Sequence, residues 1–271
     1  MFLTRKALIK IWLITGLFIA LALVSFWAFW VFSPLAETGF FLDLGIFCLS
    51  FAPLAYFCGR YVEGKGALIE RGRKLVTQQL RPAEFIRLYM ERRNFPDHVI
   101  AKPDYDVLYV LALAYDAAGD PESELAVLDD LFAVARKKKK PFVNLLKASV
   151  LFGLGRLEEG EGLYNQVRRE KMDLVTTGVA DFVLKSDRAM AYGDYTTAET
   201  YFRQKLAGKF PGNTPLALLS IHFALAMICM KTERTEEARQ YLKYCIEHGG
   251  ETHMQAKAVD LWNELYIVRK T

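Results

Sequence analysis

Between residues 11 and 58 the chain carries only two charged side chains, Glu37 and Asp43. No other feature narrows the fold as much, because so long an uncharged stretch fits poorly in a water-soluble domain. Its first part, Ile11–Phe32, has no charge, and as a helix it is long enough to cross a hydrocarbon core of roughly 30 Å. Arg5, Lys6 and Lys10 precede it. Its far end holds Phe26, Trp27, Phe29, Trp30 and Phe32, the ring belt expected at a lipid–water interface. A second apolar stretch, Gly39–Cys58, follows at once, which argues against a cleaved signal peptide. Asp43 lies one turn inside its start and can stay hydrated at the interface. Neither stretch offers a basic partner at depth for a proton relay. Gly16 and Ala20 form a small-xxx-small step suited to close helix packing. Residues 1–59 are therefore expected to form a transmembrane hairpin with spans at about 11–32 and 39–58. Lys and Arg flank both outer ends and are absent from the Ser33–Thr38 turn, so both termini are expected in the cytoplasm. A compact chain without long low-complexity tails favours a bacterial plasma membrane.

The remainder has ordinary charge and reads as helical. Apolar residues recur at spacings of three and four, breakers fall at regular intervals, and no run alternates long enough for a sheet. The expected class is all-α. Residues 60–102 hold ten Lys/Arg against five Asp/Glu, whereas 103–271 hold 22 against 24. The basic surplus thus belongs to two amphipathic juxtamembrane helices within 60–103, where anionic lipid would attract it. It is not distributed like a nucleic-acid footprint, so no nucleic-acid partner is expected.

From residue 104 to 250 one pattern recurs four times: an apolar helix, a turn, then an acidic start to a second helix. The turns centre on Gly119, Gly155, Gly193 and Glu233, separated by 36, 38 and 40 residues. Glycine there can take positive φ and stop the first helix, while acidic residues suit the next N-terminus. Five places on, Gly160, Ala198 and Ala238 would let paired helices approach. Four further, Tyr164, Phe202 and Leu242 would fill the space between hairpins. The first repeat departs from this, with Glu124 in the small slot. With these turns, Leu108, Leu111, Ala112 and Tyr115 match the first-helix signature, and the chain resembles the tetratricopeptide repeat family, whose usual period is about 34. The resemblance implies a membrane-anchored member with degenerate repeats, ending in a terminal helix, 251–271, that covers the end of the stack.

The resemblance also implies where a ligand would lie, in the groove lined by the first helix of each repeat. Carried over by register, the groove positions are Tyr109, Val110, Leu113 and Asp116; Phe142, Leu145, Leu146 and Ser149; Val183, Leu184 and Asp187; and Phe223, Met227 and Met230. These are mainly apolar, unlike the basic clamp of the family's carboxylate binders, and suit an amphipathic helix from a protein partner. The alternative is a groove filled by the chain's own terminal helix. Arg136, Lys137, Lys138, Lys139 and Lys140 form the densest charge run. They either complement a helix C-terminus or touch anionic lipid or an acidic partner.

Catalytic motifs are absent. His98, His222, His248 and His253 show no metal-ligand spacing, and Cys48, Cys58, Cys229 and Cys245 form no CxxC pair. No phosphate-binding or nucleophile-elbow motif occurs. The expectation is a non-catalytic adaptor or scaffold without metal or cofactor, bound to a protein partner and the lipid bilayer. The alternative is a structural subunit of a membrane complex whose hairpin makes the key contacts and whose repeats self-associate.

Overall fold

A computed structural model describes residues 66, 68–93, 104–169, 174–208 and 214–267. The hairpin expected at 11–32 and 39–58 lies outside them. So do His98, Cys48 and Cys58. Contacts divide the chain after Gly66, and Ala67–Thr271 forms one compact unit. Among the described residues there is no strand, and no helix is long and apolar enough to cross a membrane.

The unit is built from helical hairpins. Helix α1 (68–78) ends in a π-helical turn, Lys74–Gln78, and pairs with α2 (Pro82–Arg93). Then come α3 (Tyr105–Ala118) with α4 (Pro121–Val134), and α5 (Lys140–Gly153) with α6 (Leu157–Arg168). The third repeat's first helix is broken at Ser186 into α7 (Leu174–Lys185) and α8 (Asp187–Ala191), which pair with α9 (Tyr195–Leu206). Helix α10 (Pro215–Lys231) pairs with α11 (Thr235–His248), and α12 (His253–Ile267) packs on α11. Asp104, Asp120, Asp194 and Thr214 cap their helices by accepting from backbone N–H groups two or three residues on.

One turn geometry recurs at all four repeat positions. The N–H groups of Asp120, Arg156, Asp194 and Arg234 each donate to the carbonyl five residues back, at 3.0, 2.9, 2.8 and 2.8 Å. That closure requires a left-handed residue just before the donor. Gly119, Gly155 and Gly193 supply it with φ of 77°, 73° and 76°, and Glu233 is forced to 61°. A side chain there costs about 1 kcal/mol or more. Glu233→Gly should therefore raise stability by about 1 kcal/mol, read as a higher Tm with an unchanged helical spectrum. An unchanged or lower Tm would mean that Glu233 makes compensating contacts.

Packing follows the small-then-large pattern. Gly160, Ala198 and Ala238 are buried at the hairpin crossings, and a Cβ on Gly160 would come within 2.7 Å of the Phe152 ring. Tyr164, Phe202 and Leu242 are buried between neighbours. Helix α10 is apolar on every side and is enclosed accordingly by α9, α11, α12 and the end of α1. Arg234 and Arg203 bind Glu199 and Glu237 in a four-membered network that joins α9 to α11. The Arg234 hydrogen bonds hold the Glu199 carboxyl below the usual range.

The last hairpin returns to the first. Glu251 N donates to Leu80 O at 2.8 Å, Arg81 pairs with Glu251 at 3.2 Å, and the His253 ring lies 3.2 Å from Ala117 O. A Cβ on Gly119 would meet the His253 ring at 2.6 Å, and one on Gly250 would meet Leu80 at 2.7 Å. One core therefore runs from Leu75 and Val76 of α1 through α3 to Leu216 and Leu219 of α10 and Met254 of α12. The terminal helix closes onto the start of the repeats as well as covering the end.

Candidate binding surface of the inner helices

Helices α3, α5, α7–α8 and α10, the first of each hairpin, carry the groove positions and are called the inner layer. Near the start of this layer the Tyr109 and Phe142 rings lie 6.0 Å apart. Burial pushes the Tyr109 hydroxyl up, and the cation of Arg73 from α1 works against it. Tyr109, Leu113 and Leu146 are half-buried against the core that contains Leu75 and Val76. At the far end, Phe223 and Met230 pack on that same core, with the Phe223 ring edge-on to His253 at 6.4 Å.

The groove positions thus divide into three kinds. Tyr109, Leu113, Leu146, Phe223 and Met230 share their core with α1, whose terminal turn packs on both α3 and α10. Val110, Leu145 and Val183 are not open at all; Val110 lies in the main core, and the other two are buried in the satellite core between the second and third repeats. Phe142 and Met227 stay half-buried. The Leu184 side chain lies outside the described residues. An α1 seated on the inner layer was missed because its seat depends on α10, more than 130 positions away. The Leu68, Leu75 and Val76 stripe was the available signal.

A polar stripe accompanies the apolar one. Asp116, Ser149 and Asp187 occupy like positions on successive inner helices, and Ser149 Oγ donates to Asp187. The Ser186 hydroxyl lies 3.1 Å from the other Asp187 oxygen. Burial raises the Asp187 carboxyl, opposed by these hydroxyls and by the Lys205 ammonium. Lys205 itself stands 3.9 Å over the Phe182 ring, and burial lowers it. Asp116 is pushed up to about 6 by its protein surroundings and then by the charge of Asp187. Water reaches Asp116, so screening weakens that push more than at Glu124. Glu124, half-buried in the slot that is Gly or Ala elsewhere, is pushed up to about 9 by burial and then by Asp116.

The remaining reactive groups have structural partners. His222 stacks on Tyr244 at 3.7 Å, and its Nδ1 lies 2.8 Å from Leu218 O. His248 leans on Tyr244 at 4.6 Å. Burial lowers both His222 and His253, which favours the neutral ring. Cys229 and Cys245 are buried free thiols, pushed by burial up to about 11 and about 12, where little nucleophilic thiolate forms near neutral pH. Among the described residues, no three His, Cys, Asp or Glu side chains converge as a metal site.

Of the basic run, Arg136 to Lys139 are exposed and Lys137–Lys139 form a single 3₁₀ turn. The ammonium of Lys139 lies 3.9 Å over the Tyr105 ring and that of Lys140 4.4 Å over Phe132. The run thus bridges the end of α4 and the start of α3. No family model matches the chain, and neither a curated protein nor a solved structure shows significant similarity to it.

Proposed function

We propose that the chain is a membrane-anchored, non-catalytic adaptor of the tetratricopeptide kind. Its hairpin at 11–58 would hold it in the bilayer with both termini in the cytoplasm, and its repeats would engage a protein partner. The observation that carries this reading is the inner face itself. By the register of the repeats, Tyr109, Phe142, Phe223 and Met227, all half-buried, fall on the first helices of their hairpins, two of which also carry Asp116 and Asp187. Aromatic and Met side chains next to fixed charges suit a helical segment that carries basic residues on one edge.

A photo-crosslinking residue at Met227, and another at Tyr109, in cells making the native protein tests it. The expected result is a discrete heteromeric product at Met227, whose mass names the partner. Tyr109, beside α1, should give an intramolecular product as well. Intramolecular products alone, or none, at both positions would overturn the adaptor reading. One observation favours the alternative of a structural subunit in a membrane complex: α1 already covers part of the inner face. On that reading, substitutions at Gly16 or Asp43 abolish complex assembly while those at Met227 do not.

A further inference from the structure

The repeat unit is electrically lopsided along its inner helices. Helices α1 and α3 run parallel, because both deliver their C-terminal ends to residues 250–253. Leu80 O accepts from Glu251 N, and Ala117 O faces the His253 ring. Consistently, Arg73 acts on Tyr109, one turn into α3. Helix α5 begins at the same end as α3, since Phe142 at its start meets Tyr109 at 6.0 Å. The chain therefore comes into the unit, at residue 68, at the end where α3 and α5 start.

At that end Asp104 and Asp106, starting α3, and Asp130, near the end of α4, are outnumbered by Arg136–Lys140, Arg168 and Arg169. Arg136, Lys137 and Lys138 are exposed there, and none has a carboxylate within ion-pair reach among the described residues. The ammonium groups of Lys139 and Lys140 lie over aromatic rings, which hold both cations at this surface. Arg168 and Arg169, exposed, close the second hairpin at the same end. The opposite end of the first two hairpins, where they turn, exposes Asp120, Glu122, Glu158 and Glu159.

We propose that the cationic end, centred on Arg136–Lys140, is a contact surface for an anionic lipid bilayer. This rests on the reading of 11–58 as a membrane hairpin. Chain continuity then selects lipid over an acidic protein, because residue 68 is only ten positions past Cys58, the end of the second apolar stretch. Clustered unpaired cations near a bilayer are drawn to negatively charged headgroups, and the acidic turns at the other end are repelled from them.

The test uses the full chain reconstituted into phosphatidylcholine vesicles with and without phosphatidylglycerol. A photo-crosslinking residue is placed at Lys138 in one sample and at Glu158 in another. A lipid adduct at Lys138 that needs phosphatidylglycerol, weakens with salt and is missing at Glu158 is the expected result. Combining R136Q with K137Q should lower the adduct about tenfold. No adduct at Lys138, equal adducts at both positions, or indifference to headgroup charge would overturn the proposal. So would a crosslink in cells from Lys138 to an acidic protein in place of lipid. Carbonate extraction of native membranes separates the two readings. A chain that is stripped off loses the hairpin and this contact together, whereas one retained without a Lys138 adduct loses only the contact.

Discussion

Val76→Asp is expected to destabilise the repeat unit by about 3 kcal/mol or more. Val76 has no exposed surface and belongs to the core that α1 shares with α3 and α10. The core around that place is built from apolar side chains, so α1 should leave its seat before the charge is buried. Gln78→Asp is the control, since Gln78 is exposed two residues away and should shift stability by less than about 0.5 kcal/mol. Thermal melts of the full chain in detergent measure the difference. Trypsin adds a local readout, because Arg71, Arg73 and Lys74 should be cut faster once α1 is released. Equal melting of the two variants would show that α1 is not held by its core contacts. The same variant bears on function. If a partner must displace α1 from Tyr109, Leu113 and Phe223, Val76→Asp removes that competition and should tighten binding.

How much of this was legible in the sequence follows from the range of the interactions. The turns at 119, 155 and 193 are local, set by a glycine that can adopt φ near 75° and an acidic residue beyond it. Each can be read from a few neighbouring letters. The buried slots at Gly160, Ala198 and Ala238 follow from the same register. The seating of α1 is different. The 68–80 stripe shows that one face is apolar, but its partners on α10 are far off in sequence, and nothing local says which surface will accept it. The same holds for His253 against Ala117, 136 positions apart. The groove positions illustrate the consequence. Register alone placed Leu145 beside Leu146, yet the packing of the second repeat on the third buries the first completely and leaves the second partly open. The break at Ser186 was also unforeseen. Its hydroxyl faces the Phe182 carbonyl at 2.5 Å, a local alternative to continuing the helix.

Stability should fall as pH rises from 7 to 9, and Glu124→Gln should flatten that slope. Glu124 stands where the other hairpins place Gly160, Ala198 and Ala238, so closing the first hairpin encloses a carboxyl group. Burial, and then the charge of Asp116, push it from the ordinary Glu value of 4.5 up to about 9. A folded-state value above the unfolded one means that the native state keeps a proton the unfolded chain has released. The stability linked to that proton is complete below about 4.5 and is lost progressively as pH climbs through about 9. Other groups mark the limits of the window. Asp116, raised to about 6, acts mostly on the acid side. His222 and His253 are lowered, so their contribution weakens only as pH falls below their ordinary 6.5. Cys229 and Cys245, ordinarily at 9.0 and pushed up to about 11 and about 12, act above pH 9. Lys205, lowered from its ordinary 10.5 by burial, acts in the opposite sense toward the alkaline limit. The falling slope between 7 and 9 therefore belongs chiefly to Glu124, with a span on the order of a few kcal/mol. Glu124→Ala, which restores the residue found in two other repeats, should melt higher than the parent at pH 9 and approach it at pH 5. Denaturant titrations of the full chain at pH 5, 7 and 9 measure both variants. A parent slope that survives in Glu124→Gln would place the titrating group elsewhere, and the Asp116–Asp187 stripe would be the next site to neutralise.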